Sequence, residues 1–298
     1  MTTVAFIGLG IMGLPMAKNL LEAGYDVVGH NRSRGKVDAF VEAGGKGAES
    51  AVDAARQADV VITMLPDSPD VEAVLVGTGE GDGVFDHVSE GSLVVDMSTI
   101  RPDTARRLAE VGASKGLRVL DAPVSGGDQG AIDGTLSIMV GGSEEDFERG
   151  RPLFEAMGKI IEHVGPAGAG QTVKAANQLI GAGNLALVAE AMVFLEAQGV
   201  DTQTAARVLG GGMAGSAMLE RKGPAMLARD FTPGFRVELH HKDLGIVQAA
   251  AREAGVTIPL GAVVSQLMGS LVAQGHGALD HTALVTVVEQ LSGRDGRD

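Results

Sequence analysis

The sequence predicts an α/β fold: a doubly wound parallel sheet in residues 1–164, joined through a long helix to an all-helical domain in residues 165–298. Three observations predict it. Short β-branched runs alternate with helical patterns up to about residue 164, the hydrophobic period turns wholly helical from Gln171 onward, and a glycine-rich turn follows directly on the first apolar run. A chain of 298 residues is also long for one hydrophobic core, which fits two domains.

Val4-Ala5-Phe6-Ile7, Val27-Val28, Val60-Val61-Ile62, Leu93-Val94-Val95 and Val119-Leu120 read as buried parallel strands, because runs without polar alternation suit a sheet covered by helices on both faces. Leu136-Ser137-Ile138-Met139-Val140 and Lys159-Ile160-Ile161-Glu162-His163 read as further strands flanking a helix that Ser143 caps. In the second half the first helix is expected from about Gln171 to Gln198, too long for an ordinary surface helix. It is expected to bridge the domains or to bury itself against another subunit, giving a homodimer or homotetramer. Breaks at Gly199, Gly210-Gly211-Gly212, Pro233-Gly234 and Thr257-Ile258-Pro259 divide the rest. Residues 254–275 carry no formal charge, but Pro259, Ser265, Gln266, Ser270 and Gln274 interrupt them, so a buried helix over residues 260–273 is expected rather than a membrane span. The polar tail, residues 292–298, is expected to be disordered.

Composition removes several function classes. A formal net charge of −14 argues against nucleic acid or an anionic membrane as partner, and 3% aromatic residues with no Trp leave few stacking platforms. There is no cysteine, which excludes disulfides, thiolate metal sites and a cysteine nucleophile. No export signal precedes the first strand, and a cytoplasmic protein is expected. His240 and His241 are adjacent, and neighbours in sequence point apart. His276 and His281 flank a glycine loop where capping or packing is expected, so no metal site is expected.

Gly8-Leu9-Gly10-Ile11-Met12-Gly13 follows the first strand and opens the first helix, as a Rossmann dinucleotide fingerprint requires. Gly8 permits the tight turn, Gly10 lets the backbone approach a pyrophosphate, and Gly13 lets helix and strand pack closely. The alternative is a glycine-rich turn that binds nothing. An NAD site usually ends its second strand with Asp or Glu, and here that place reads His30-Asn31-Arg32-Ser33. Arg32 suits the 2′-phosphate of NADP(H), which is the expected cofactor with NAD(H) as the alternative. A solvated surface arginine is the plainer reading of Arg32. Open sheets bind ligands at the carboxyl ends of their strands, so Met64-Leu65-Pro66 and Thr99 are expected to line the cofactor cleft, unless they are ordinary loop residues.

Lys174 lies about one turn into a helix opened by glycines, where a cation is disfavoured by roughly 0.3–1 kcal/mol. Asn177, Gln178, Gly181 and Asn184 fall near its face, a narrow polar stripe on an otherwise apolar helix. Either the lysine has a chemical use or it snorkels to solvent.

Four separated blocks together resemble the β-hydroxyacid dehydrogenase family over essentially the whole chain. They are VAFIGLGIMGLPMAKNL at residues 4–20, DAPVSGG at 121–127, GAGQTVKAANQ at 168–178 and HKDL at 241–244. The resemblance implies that Lys174 is the catalytic lysine and that Ser125, Gly126 and Gly127 hold a substrate carboxylate. It further implies that Asn177 and Gln178 assist orientation and that Lys242 contacts the cofactor near the nicotinamide. A serine beside two glycines also suits an anion-binding concavity, although SGG alone is more often a flexible turn. The segments VITMLPDSP (61–69), AIDGTLSIMVGG (131–142), PGFRVELHHKDL (233–244) and GHGALDHTAL (275–284) look most like members that reduce tartronate semialdehyde. The expected ligand is thus a small carboxylate-bearing aldehyde or hydroxyacid. Asn31-Arg32 departs from the acidic residue often found in those reductases.

Overall fold

The computed structural model describes residues 2–56, 58–79 and 82–294. The chain forms two compact units, one ending at Lys174 and one beginning at Ala175. The division falls inside a helix whose opening turn is bonded into the sheet unit through Asp121 and Gln171.

Among the described residues the first unit carries nine strands: β1 Thr3–Ile7, β2 Asp26–His30, β3 Lys46–Gly47, β4 Val60–Thr63, β5 Leu93–Asp96, β6 Arg118–Asp121, β7 Val124–Ser125, β8 Leu136–Gly141 and β9 Gly158–Gly165. Their order is β3-β2-β1-β4-β5-β6-β8-β7, with β9 on β8. The strands from β3 through β6 pair in parallel, β8 runs antiparallel to β6 and β7, and β9 is parallel to β8. Chain order reverses between β1 and β4, which makes their carboxyl ends the switch point where an open α/β sheet binds ligands.

The helices of this unit are α1 Gly13–Glu22, α2 Arg34–Glu42, α3 Ala51–Ala55, α4 Ser68–Leu75, α5 Pro102–Ser114, α6 Gly127–Ile132 and α7 Glu144–Met157. The period-2 alternation of β1 divides it between two cores. Val4 and Phe6 pack with Met16, Ile62 and Phe154, whereas Ala5 and Ile7 pack with Val61, Leu75 and Leu108 on the other face. Ser143 caps α7, its hydroxyl accepting from the Asp146 N–H at 3.1 Å.

α8 runs from Ala169 to Ala197 and enters the second unit, which continues with α9 Thr202–Gly210, α10 Ala217–Ala228, α11 Val237–Glu253, α12 Pro259–Ala273 and α13 Leu284–Leu291. α8 is long and apolar enough to cross a bilayer, yet Leu185, Ala189 and Met192 are buried in a core with Met268, Leu271 and Leu284. α12 was expected to be buried. It is buried along one face only, since Leu260 and Val263 remain 76% and 58% exposed. Of the polar tail, Ser292 closes α13, and residues 295–298 lie outside the described residues.

Candidate active site

The glycine turn sits at the switch point. Gly8 has φ +106°, and a Cβ there would lie 2.2 Å from the Met64 carbonyl oxygen. A Cβ on Gly13 would lie 1.8 Å from the Gly8 carbonyl oxygen. Both glycines are thus required by contact, one with the loop after β4 and one within the turn. Gly10 differs: it is exposed, and a Cβ there would meet nothing within 4 Å. The open space over Gly10, at the mouth of α1, fits a dinucleotide pyrophosphate. Ile11 is exposed and Met12 half-buried beside it, while Leu9 points into the core.

Asn31 has a task that its sequence position did not reveal. Its side-chain oxygen accepts the Leu9 N–H at 3.1 Å, so the residue just after β2 braces the glycine turn. Arg32 is 83% exposed and 3.6 Å from Asp70, and Ser33 precedes α2. Asp26, at the opposite end of β2, pairs with Lys46 at 2.7 Å. Met64, Leu65 and Pro66 follow β4, and the Leu65 N–H donates to the Ser98 hydroxyl at 2.8 Å, which ties that loop to the one carrying Thr99 after β5.

Lys174 is buried, and its ammonium donates a 2.8 Å hydrogen bond to the Val124 carbonyl. Snorkelling to solvent is therefore not its conformation. Val124 directly precedes Ser125, Gly126 and Gly127, where β7 turns into α6 with φ +150° at Gly126 and +71° at Gly127. Ser125 and Gly126 are half-buried and Gly127 is exposed, so the strap stays open beside a held cation.

The expected first-turn address of Lys174 needs correction. α8 opens at Ala169, which puts Lys174 in the second turn. The opening turn is served instead by Asp121 at the end of β6, whose carboxylate accepts the Gly168 N–H at 2.7 Å and the Gln171 N–H at 2.9 Å. Burial pushes the Asp121 carboxyl up to about 6 against the pull of those donors, and nearby Asp96 pushes the same way. Gln171 donates from its amide to the Ser98 carbonyl at 2.8 Å and accepts the Ile100 N–H at 3.1 Å. Sequence reasoning passed over both residues, although each stands inside a quoted motif.

In the second unit Asn177 donates to the Gln178 side-chain oxygen at 2.9 Å, and Gln178 donates to Asp243 at 2.5 Å. Lys242 pairs with Asp243 at 2.8 Å. Asp243, the aspartate of HKDL, is thus a buried hub that sequence reasoning left without a role. His240 and His281 are both buried, with their Nδ1 atoms 2.9 Å apart.

Two family models match the chain. One, described as the NAD binding domain of 6-phosphogluconate dehydrogenase, covers residues 3–165, and the other, the NAD-binding region of NADP-dependent 3-hydroxyisobutyrate dehydrogenase, covers residues 168–288. The chain is 43% identical to the 2-hydroxy-3-oxopropionate reductase of Escherichia coli over 97% of its own length and 98% of that protein. It is 41% identical to the NAD-dependent L-serine dehydrogenase of Pseudomonas aeruginosa over 99% of its length and 100% of that protein. Among solved structures, Mycobacterium tuberculosis 3-hydroxyisobutyrate dehydrogenase with L-serine superposes with a TM-score of 0.85 at 36% identity, over 98% of this chain and 99% of that one. The glycine turn at the switch point, the buried lysine and these matches agree: the chain belongs to the β-hydroxyacid dehydrogenase family of NAD(P)-dependent oxidoreductases acting on small hydroxyacids.

Proposed function

We propose that the protein reduces tartronate semialdehyde (2-hydroxy-3-oxopropanoate) to D-glycerate with NADPH. The carrying observation is the Lys174 ammonium held 2.8 Å from Val124, directly before Ser125-Gly126-Gly127. A substrate carboxylate taken by the hydroxyl and N–H groups of that strap brings a β-aldehyde carbon within reach of the ammonium. When bound, the dinucleotide supplies hydride from nicotinamide C4 to that carbon. Lys174 meets the charge growing on the carbonyl oxygen, first with a hydrogen bond and then with a proton, and the C=O becomes CH–OH. Asn177 and Gln178 assist orientation, and Lys242 serves the nicotinamide side.

NADPH is preferred because Arg32 is exposed and its pair with Asp70, at 3.6 Å, is loose. Such surface pairs contribute about 0–1 kcal/mol, less than the roughly 1.5–3 kcal/mol of a charge-assisted bond to a 2′-phosphate. The substrate follows the Escherichia coli relative. A second reading, a methyl- or amino-bearing β-hydroxyacid, follows the Mycobacterium tuberculosis 3-hydroxyisobutyrate dehydrogenase and the Pseudomonas aeruginosa L-serine dehydrogenase, and needs the same residues. A pocket separates substrates one methylene apart by only about 1–3 kcal/mol, so the decision belongs to kinetics. Oxidation of NADPH and NADH is compared with tartronate semialdehyde, 2-methyl-3-oxopropanoate, succinic semialdehyde and glyoxylate, and of L-serine in reverse. The highest kcat/KM is expected for tartronate semialdehyde with NADPH, and a higher value for any other pair overturns the assignment. Ile180, Leu187 and Phe194, all exposed at seven-residue spacing on α8, further support a homodimer or homotetramer, which light scattering measures.

A further inference from the structure

The proposed mechanism leaves without work two buried polar side chains at the opening turn of the helix that carries Lys174, Asp121 and Gln171. They hold the opening turn of α8 from two strand ends. The Asp121 carboxylate anchors the Gly168 and Gln171 N–H groups to the end of β6, at 2.7 and 2.9 Å. The Gln171 side chain anchors the same turn to the segment after β5, through the Ser98 carbonyl at 2.8 Å and the Ile100 N–H at 3.1 Å. Glycines close the joint further: a Cβ on Gly170 would lie 2.4 Å from the Met139 carbonyl oxygen, and one on Gly141 would lie 2.5 Å from the Asp121 carboxylate. One turn later the helix delivers Lys174 to Val124.

We propose that Asp121 and Gln171 are positioning residues that together fix the height and rotation of α8, and so hold the Lys174 ammonium at the Val124–Gly127 strap. The inference rests on the role given to Lys174 above. Asp121 ends β6 only three residues before Val124 opens β7, so the carboxylate ties the helix to the chain segment that leads directly into the strap. Displacing a reacting group by about 1 Å costs on the order of a hundredfold in rate, so a side chain that never meets substrate is still visible in kcat.

The test measures kcat, KM for the semialdehyde and Kd for NADPH in wild type, Asp121→Asn, Gln171→Met, Lys174→Ala and the double variant Asp121→Asn/Lys174→Ala. Each positioning variant is expected to lose about ten- to a hundredfold in kcat, with KM and NADPH affinity nearly unchanged. In the Lys174→Ala background Asp121→Asn is expected to cost nothing more, because both changes act through one group. Gln171→Met carries the test alone where Asp121→Asn fails to fold. A folded positioning variant with wild-type kcat overturns the proposal, and so does an undiminished loss from Asp121→Asn in the Lys174→Ala background. Wild-type kcat in Lys174→Ala is a different result, which overturns the lysine's role itself.

Discussion

The Lys174 ammonium and the Val124 carbonyl are joined by a 2.8 Å hydrogen bond, which places the only formal charge of residues 168–178, at the start of α8, against the residue that precedes Ser125-Gly126-Gly127. A fixed cation alone does not reduce an aldehyde, because the product alkoxide also needs a proton. Lys174→Arg separates the two needs: the guanidinium keeps the charge but does not release a proton at ordinary pH. It is expected to lower kcat by about 10²–10⁴ while NADPH titration gives an unchanged Kd.

The glycine turn yields a paired prediction. Gly13→Ala drives a Cβ to 1.8 Å from the Gly8 carbonyl, so the turn must distort, at about 1–3 kcal/mol of stability and with loss of nucleotide binding. Gly10→Ala has nothing within 4 Å to strike. It is expected to melt at the wild-type temperature yet bind NADPH more weakly, because the methyl occupies the space left for the pyrophosphate. Thermal melts with and without NADPH check both variants.

Arg32→Ala is expected to raise the Kd for NADPH by about ten- to a hundredfold and to leave the Kd for NADH alone. Equal weakening of both cofactors would mean that Arg32 shapes the loop rather than reading the 2′-phosphate.

Asp121 predicts a pH dependence with a definite sign. Its carboxyl is raised from 3.8 to about 6 by burial, with Asp96 as the neighbouring carboxylate, so the folded state takes up a proton before the unfolded chain does. The carboxylate that anchors α8 is lost below about 6, and the acid limb of the kcat profile is expected there. Asp121→Asn removes that limb. The stability of wild type relative to Asp121→Asn falls as pH rises from 3.8 to about 6, which urea titrations across that window measure.

The buried His240–His281 pair acts in the opposite direction. With Nδ1 atoms 2.9 Å apart one ring donates and the other accepts, and burial, then His240, pushes His281 well below its usual 6.5. The unfolded chain binds a proton that the folded pair refuses, so stability present above 6.5 is lost as pH falls below it. The urea midpoint is expected to fall through that range, and to fall less in His281→Asn.

Local chemistry was readable wherever the deciding contact is local. The glycine turn follows β1, Ser143 caps α7, and the apolar runs mark the strands they form. Partners distant in sequence were not readable. Asp121 reaches Gly168 and Gln171 across about fifty positions, and Asn31 reaches back to Leu9, so neither residue's task shows in its own segment. β3 and β7 have two residues each, too short for any periodicity. The address of Lys174 was misread because α8 begins at Ala169, two residues before the expected Gln171, where glycines at 168 and 170 hide its start, and Asp121 accounts for the opening turn.

The most direct measurement is single-turnover oxidation of enzyme-bound NADPH by tartronate semialdehyde, in wild type and in Lys174→Ala. If the lysine supplies the proton at the Val124–Gly127 strap, hydride transfer slows by about 10²–10⁴ in the variant while NADPH binding persists. Transfer at the wild-type rate in Lys174→Ala would contradict the account.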